Sequence, residues 1–296
     1  MKMNYMNGDK YNLKIMQFYK KLFKRILKSL NYEILKTKYD NKALSYQYLN
    51  LDRTEEIKRN KFLEKRPELN EEDINAIKYV LKNNLTMVSP ARLTDTVLAV
   101  KHVDNNNIQG SFVECGTWRG GNTIAAILAY SKYFKRQNIY IYDTFTGMSE
   151  PNDTIDKSVF LGDTSKNVFN KNQEKNFNSW CYASLDEVKE NFKKAGLSLE
   201  NINFIKGKVE DTLKVKSNLP EKISVLRLDT DWYDSTAIEL EVLYPKLEIG
   251  GVLLIDDYGY WDGAREAVDN YFSRLDTPRR PFFAQSDFTG RVAIKI

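Results

Sequence analysis

Five short apolar runs, separated from one another by helix-length segments, restrict this chain to a few architectures. They are SFVECG (111–116), NIYIYDT (138–144), NINFIKG (201–207), ISVLRLD (223–229) and GGVLLIDDY (250–258). Runs of this length, rich in Val, Ile, Tyr and Phe and bounded by glycine or aspartate, read as strands. Strands alternating with helices build βαβ units around a parallel sheet, and right-handed crossovers bring the C-terminal strand ends to one edge. The tail RPFFAQSDFTGRVAIKI (280–296) reads as two more strands joined around Thr289-Gly290, an antiparallel hairpin. The expected fold is therefore α/β, with a mostly parallel seven-stranded sheet closed by a C-terminal hairpin.

Upstream, EEDINAIKYVLKN (71–83) has helical spacing, and LTMVSPARL (85–93) is a loop entering the helix LTDTVLAVKHV (93–103). Residues 1–60 differ and are expected to form a helical extension to a domain spanning 61–296. Within them, residues 14–36 place Ile15, Phe18, Leu22, Phe23, Ile26 and Leu30 near helical spacing, with Lys20, Lys21, Lys24, Arg25 and Lys28 on other faces. Such a basic amphipathic helix lies on an anionic membrane surface or packs on protein. Packing on its own domain or an oligomer interface is the favoured reading, and residues 52–68 read as a charged helix or linker.

Composition excludes several classes. Lys+Arg (45) nearly balance Asp+Glu (40), so there is no mandate for nucleic acid. Cys115 and Cys181 make neither a disulfide framework nor a metal-type cluster. No apolar run approaches the roughly 18 residues of a membrane span, and the N-terminus lacks signal-peptide features, so a cytoplasmic setting is expected. His102 is the chain's one histidine, and its place in an amphipathic helix reads as structural. Carboxylates are then the first candidates for acid–base work.

Four strand ends carry chemistry. Glu114-Cys-Gly-Thr-Trp-Arg-Gly-Gly121 sits between a strand and the helix beginning at Asn122, with glycines at 116, 120 and 121 permitting a tight turn and close backbone approach to a ligand. It is neither GxGxxG nor a P-loop. Glu114 at its start suits a cationic group, such as the α-amino group of an amino-acid moiety. Asp143, in DTFTG, reads either as the carboxylate that takes ribose hydroxyls or as a helix cap. Together with Glu114 it points to a nucleoside carrying an amino acid. LDTDWYDST (228–236) and LIDDYGYW (254–261) then deliver Asp229, Asp231, Asp256 and Asp257 to neighbouring strand ends. Charges so crowded raise one another's pKa unless a cation compensates, and all-oxygen ligation favours Mg²⁺, Mn²⁺ or Ca²⁺ over Zn²⁺. Trp232, Tyr258, Tyr260 and Trp261 read as a stacking wall for a sugar ring or as core.

At these residues the chain resembles the metal-dependent macrolide and aminocoumarin sugar O-methyltransferases, typified by macrocin O-methyltransferase. The matching pieces are Thr86-Met87, FVECGTWRGG, IYDTFTGM, ASLDEVKENF, FIKGKVEDT, LRLDTDWYDST and GGVLLIDDYGYWDGAREAVDNYF, from about residue 85 to 290, with the basic N-terminal region outside it. The resemblance implies a Rossmann-like class I methyltransferase fold with S-adenosylmethionine as donor and Mg²⁺ as the required ion. It implies Asp229, Asp256 and Asp257 as metal ligands and Asp231 as general base. Glu114 and the turn through Gly116, Thr117 and Trp118 would hold the methionine end with Thr86 and Met87, Asp143 and Thr144 the ribose, and Ser184, Val209 and Glu210 would lie near the adenine. A sugar or glycan acceptor and homo-oligomerisation are likewise implied. Three rival readings stand beside it: a glycosyltransferase using Asp229-Thr-Asp231 as a D-x-D motif, a catalytically silent nucleoside-binding protein of the same fold, and a catechol methyltransferase. Against the glycosyltransferase, Asp256-Asp257 becomes surplus and Glu114 would face a diphosphate with the wrong charge.

Overall fold

A computed structural model describes residues 61–275 and 280–296. The basic helix expected over 14–36 and the domain boundary near residue 60 lie outside the described residues. Among the described residues no helix is long and apolar enough to cross a membrane.

After a helical stretch at residues 61–64 come α1 (Glu71–Lys82) and α2 (Pro90–Asn105). Asn70 and Asp73 form a reciprocal capping box on α1, while Ser89 caps α2 ahead of Pro90, whose missing N–H costs nothing at a first helical position. Then follow β1 (Ser111–Cys115), α3 (Gly121–Ala129), β2 (Ile139–Asp143), α4 (Ser165–Lys171), α5 (Leu185–Lys194), β3 (Ile202–Lys206), β4 (Ile223–Leu228), α6 (Tyr233–Leu243), β5 (Leu247–Ile255), α7 (Asp262–Ser273), β6 (Ala284–Gln285) and β7 (Arg291–Ile294). All seven expected strands are present. β5 begins earlier than its apolar run, passing through Gly250 at φ 82°.

The sheet order is β3-β2-β1-β4-β5-β7-β6. The first five strands pair in parallel; β7 runs antiparallel to β6, as the tail pattern predicts, and also to β5. Because strand side chains alternate faces, each central strand feeds two cores. Phe112, Ile139, Ile141, Val225 and Val252 pack on one side with α1, α2 and α3. Val113, Tyr142, Leu226, Leu228 and Leu253 pack on the other with Leu240 and Leu243 of α6 and Val268 and Phe272 of α7. The chain winds outward in both directions from β1 and β4, so the crevice between their C-terminal ends is the topological switch point where such sheets bind ligands.

Candidate active site

The turn after β1 is held to its neighbours by backbone contacts that allow no side chain at residue 116. Gly116 has φ 77°, and a Cβ there would lie 1.8 Å from the Asp229 carbonyl oxygen. Asp143, at the end of β2, accepts from the amides of Thr117 (2.9 Å) and Trp118 (3.2 Å) on one carboxylate oxygen and of Phe145 (2.7 Å) on the other. Burial raises its pKa, and these donors pull it back. Asp143 thus serves as a backbone cap while also lining the cleft. Thr86, Met87, Gly116, Thr117, Trp118, Thr144, Val209 and Glu210 line the same cleft.

Two expected donor-site residues do not line it. Glu114 is 0% exposed. Its carboxylate accepts from the hydroxyls of Thr117 (2.7 Å) and Thr123 (2.6 Å) and pairs with Arg227 (3.1 Å). The structure therefore sets it beneath the turn, where it fixes Thr117, instead of opposite a ligand amine. So placed, Glu114 does not weigh against a sugar nucleotide. Ser184 caps α5 by accepting from the Glu187 amide at 3.2 Å, ordinary N-cap chemistry.

The acidic strand ends converge as the spacing implies. Asp229 continues β4, its amide donating to Cys115 O (2.9 Å), and Asp256 continues β5, its amide donating to Leu228 O (2.9 Å). One carboxylate oxygen from each of Asp229, Asp256 and Asp257 lies within 4.8 Å of the others. Asp231 sits beside them at φ 71°, a strained conformation for a non-glycine residue and of the kind that gathers at functional sites. Its amide donates to Asp257 (3.1 Å), and its carboxylate accepts from the Trp261 indole N–H (2.6 Å). Between the two aspartates, Thr230 donates to the fully buried Glu239 (2.9 Å), which props the loop from α6.

Sequence reasoning assigned the compensating charge to a divalent cation alone and missed two arginines. Arg227, 2% exposed, pairs with Glu114, with Asp229 (2.8 Å) and with Asp256 (2.5 Å). Arg92 of α2 pairs with Asp256 from the other side and with Asp287 (2.9 Å). Charge remains in excess even so. Burial first, then repulsion from Asp231, Asp229 and Asp256, pushes Asp257 well above the usual carboxylate range. Burial first and Asp256 after it also raise Asp229, against the pull of Arg227. Asp257 makes no ion pair among the described residues. This converging, under-compensated set of oxygen donors fits a hard divalent cation such as Mg²⁺. Burial, with Asp256 adding repulsion, lifts Asp231 to about 7, the range suited to a general base. His102 lies outside the cleft, its Nε2 donating to Gly250 O (2.9 Å), so no imidazole among the described residues competes with Asp231.

The aromatic wall is partly as expected. Tyr260 and Trp261 line the cleft; Trp232 packs beneath Trp261 at 4.7 Å, and Tyr258 turns away to donate to Asp269 (2.8 Å). The segment joining β2 to α5 contributes Met148, Leu161, Trp180 and Cys181 to the lining, and the β6–β7 turn adds Phe288 and Thr289. Met148 ends the IYDTFTGM match and Thr289 belongs to the predicted hairpin turn, whereas Leu161, Trp180, Cys181 and Phe288 carry no motif and reach the cleft through tertiary packing.

Comparison with known proteins places this geometry. The model of the macrocin-O-methyltransferase (TylF) family matches residues 15–280, so most of the basic N-terminal region lies inside the family match, contrary to the sequence reading. Demethyldecarbamoylnovobiocin O-methyltransferase of Streptomyces niveus is 31% identical over 195 residues, 66% of this chain and 70% of that protein. A Streptomyces olivaceus 8-demethyl-8-(2,3-dimethoxy-alpha-L-rhamnosyl)-tetracenomycin-C 4'-O-methyltransferase is 33% identical over 192 residues, 64% of this chain and 68% of its own. The structure of the O-methyltransferase NovP aligns with TM-score 0.60 and 30% identity over 71% of this chain and 82% of that one. The chain belongs to the macrocin-O-methyltransferase (TylF) family of O-methyltransferases, and its fold is the Rossmann-like methyltransferase fold.

Proposed function

We propose that this enzyme transfers a methyl group from S-adenosylmethionine to a hydroxyl of a sugar or glycosylated acceptor, with Mg²⁺ held by Asp229, Asp256 and Asp257 and with Asp231 as general base. The observation that carries the reading is the meeting of three carboxylates within 4.8 Å beside a fourth that is strained and hydrogen-bonded to Trp261, at the switch point of the sheet. A relative named for O-methylation of a rhamnosyl tetracenomycin supports the acceptor class.

A sugar hydroxyl is a poor nucleophile at neutral pH, and a bound divalent cation would acidify hydroxyls that it coordinates. The protein supplies the rest. Asp231 takes the proton as the hydroxyl attacks, help that is typically worth about 10²–10⁴-fold. Trp261 holds the base in place, and the Asp231 amide in turn orients Asp257. Arg227 pairs with Asp229 and Asp256, and Arg92 with Asp256, so the donor oxygens are aligned before a ligand arrives. The turn after β1, with Asp143 behind it, holds the donor in line with the acceptor oxygen; alignment of this kind accounts for a large share of the barrier reduction in two-substrate reactions.

Calorimetric titration with S-adenosylhomocysteine and with UDP tests the donor, and transfer of labelled methyl with and without chelator tests the metal. Binding of S-adenosylhomocysteine but not UDP, with transfer that requires Mg²⁺, is expected. UDP binding without S-adenosylhomocysteine binding would overturn the reading in favour of a D-x-D glycosyltransferase.

A further inference from the structure

We propose that Tyr260, Phe160 and Phe288 form an acceptor subsite at the mouth of the cleft, which takes an apolar ring face beyond the sugar that is methylated. The proposal rests on the sugar-methylating reading above and extends the acceptor by one ring. An aromatic strip leads outward from the base itself. Trp261, bonded to Asp231 and 2% exposed, meets Tyr260 at 5.1 Å between ring centroids. Tyr260 stacks on Phe160 at 5.5 Å and 27°, and Phe288 closes the corner edge-on to Phe160 at 5.4 Å and 68°. Exposure rises along the strip, to 40% at Phe160 and 50% at Phe288. Large apolar side chains shown together to water mark binding surfaces, and this group is continuous with the reaction cleft, which Tyr260 and Phe288 both line.

The exposure is built in. Asp287 anchors the β6–β7 turn by accepting from Ser89 Oγ (2.5 Å), Arg92 Nε (2.9 Å) and the amides of Thr289 and Gly290 (2.9 Å each). Thr289 O accepts from the Gly259 amide at 2.9 Å, and a Cβ on Gly259 would lie 1.9 Å from Phe288 O. The turn is thus seated directly on the loop that carries Asp257 and Tyr260, and Phe288 is displayed from a fixed support. On the other side Leu161, 4% exposed and packed with Trp232 and Trp261, anchors the residue next to Phe160. A rigid corner of three rings suits the C–H face of a second pyranose or the face of an aromatic aglycone, since both stack on aromatic side chains.

The test is calorimetric and needs no turnover. Protein loaded with S-adenosylhomocysteine and Mg²⁺ is titrated with methyl α-L-rhamnopyranoside, 4-nitrophenyl α-L-rhamnopyranoside and a methyl dirhamnoside, because one relative is named for a rhamnosyl acceptor. At least one two-ring ligand should bind about tenfold tighter than the methyl glycoside, equivalent to about 1.4 kcal/mol. The Phe160→Ala/Phe288→Ala double variant should erase that preference. A stronger aryl arm assigns an aromatic unit, and a stronger disaccharide arm a second sugar. Two-ring ligands that bind no tighter than the methyl glycoside, including no binding at all, or a preference that survives the double variant, overturn the subsite. Failure to bind S-adenosylhomocysteine would instead sink the methyl-transfer reading.

Discussion

Replacing Arg227 by Met should expose how strongly the acidic site depends on its buried cation. The guanidinium is 2% exposed and engages Glu114, Asp229 and Asp256 at 3.1, 2.8 and 2.5 Å. Removing one partner of a buried ion pair typically costs about 3–5 kcal/mol, because the other charge is left uncompensated in a poorly solvated site. At about 2–4 °C per kcal/mol for a domain of this size, Tm should fall by roughly 6–20 °C. The sign of the pH dependence follows from Glu114, whose pKa burial already raises and Arg227 holds down. Without the arginine it rises further. An acid whose folded pKa lies above its unfolded value of about 4.3 favours the folded state when protonated and loses that advantage as pH climbs towards the folded value. The deficit should therefore be larger at pH 8 than at pH 5 in thermal melts followed by circular dichroism. Adding Glu114→Gln, which keeps an acceptor for Thr117 and Thr123, should recover part of the loss at pH 8. A deficit below about 2 kcal/mol at pH 8, or one that does not change with pH, would refute the reasoning.

Gly116→Ala should abolish transfer and binding of S-adenosylhomocysteine together, since the new Cβ would lie 1.8 Å from Asp229 O and force the turn after β1 and the loop after β4 apart; calorimetry with S-adenosylhomocysteine checks it. Asp257→Asn should raise the Mg²⁺ concentration needed for half-maximal rate at least tenfold while donor binding persists, read by metal titration of the rate. Asp231 must be ionised to act, so kcat/KM should fall with falling pH, with an inflection at or below about 7; bound cation moves it downward by favouring the carboxylate.

The frame of this protein was open to sequence reasoning because strands carry their evidence locally. The run ISVLRL is fully buried in β4, and the glycines and aspartates that end each run stand where the sheet releases the chain. Asp229, Asp256 and Asp257 were legible for the same reason, since adjacent parallel strands had to bring those ends together. Arg227 was half legible. It stands two residues before Asp229, hence on the same face of the strand, but its register opposite Glu114 exists only in the paired sheet. Arg92, far away in sequence, meets Asp256 by tertiary packing alone, as Phe160 meets Phe288. The surroundings of Glu114 were not legible, because a carboxylate after a strand reads the same whether it faces a cleft or is satisfied from beneath by Thr117 and Thr123.

Under the proposed division of labour, Asp231 moves the proton and its three neighbours hold the cation. Transfer of labelled methyl by Asp231→Asn, with S-adenosylhomocysteine affinity and Mg²⁺ activation measured on the same preparation, tests it most directly. A loss of about 10²–10⁴-fold in kcat with donor and metal affinity unchanged is predicted. Near-normal turnover in that variant would contradict it.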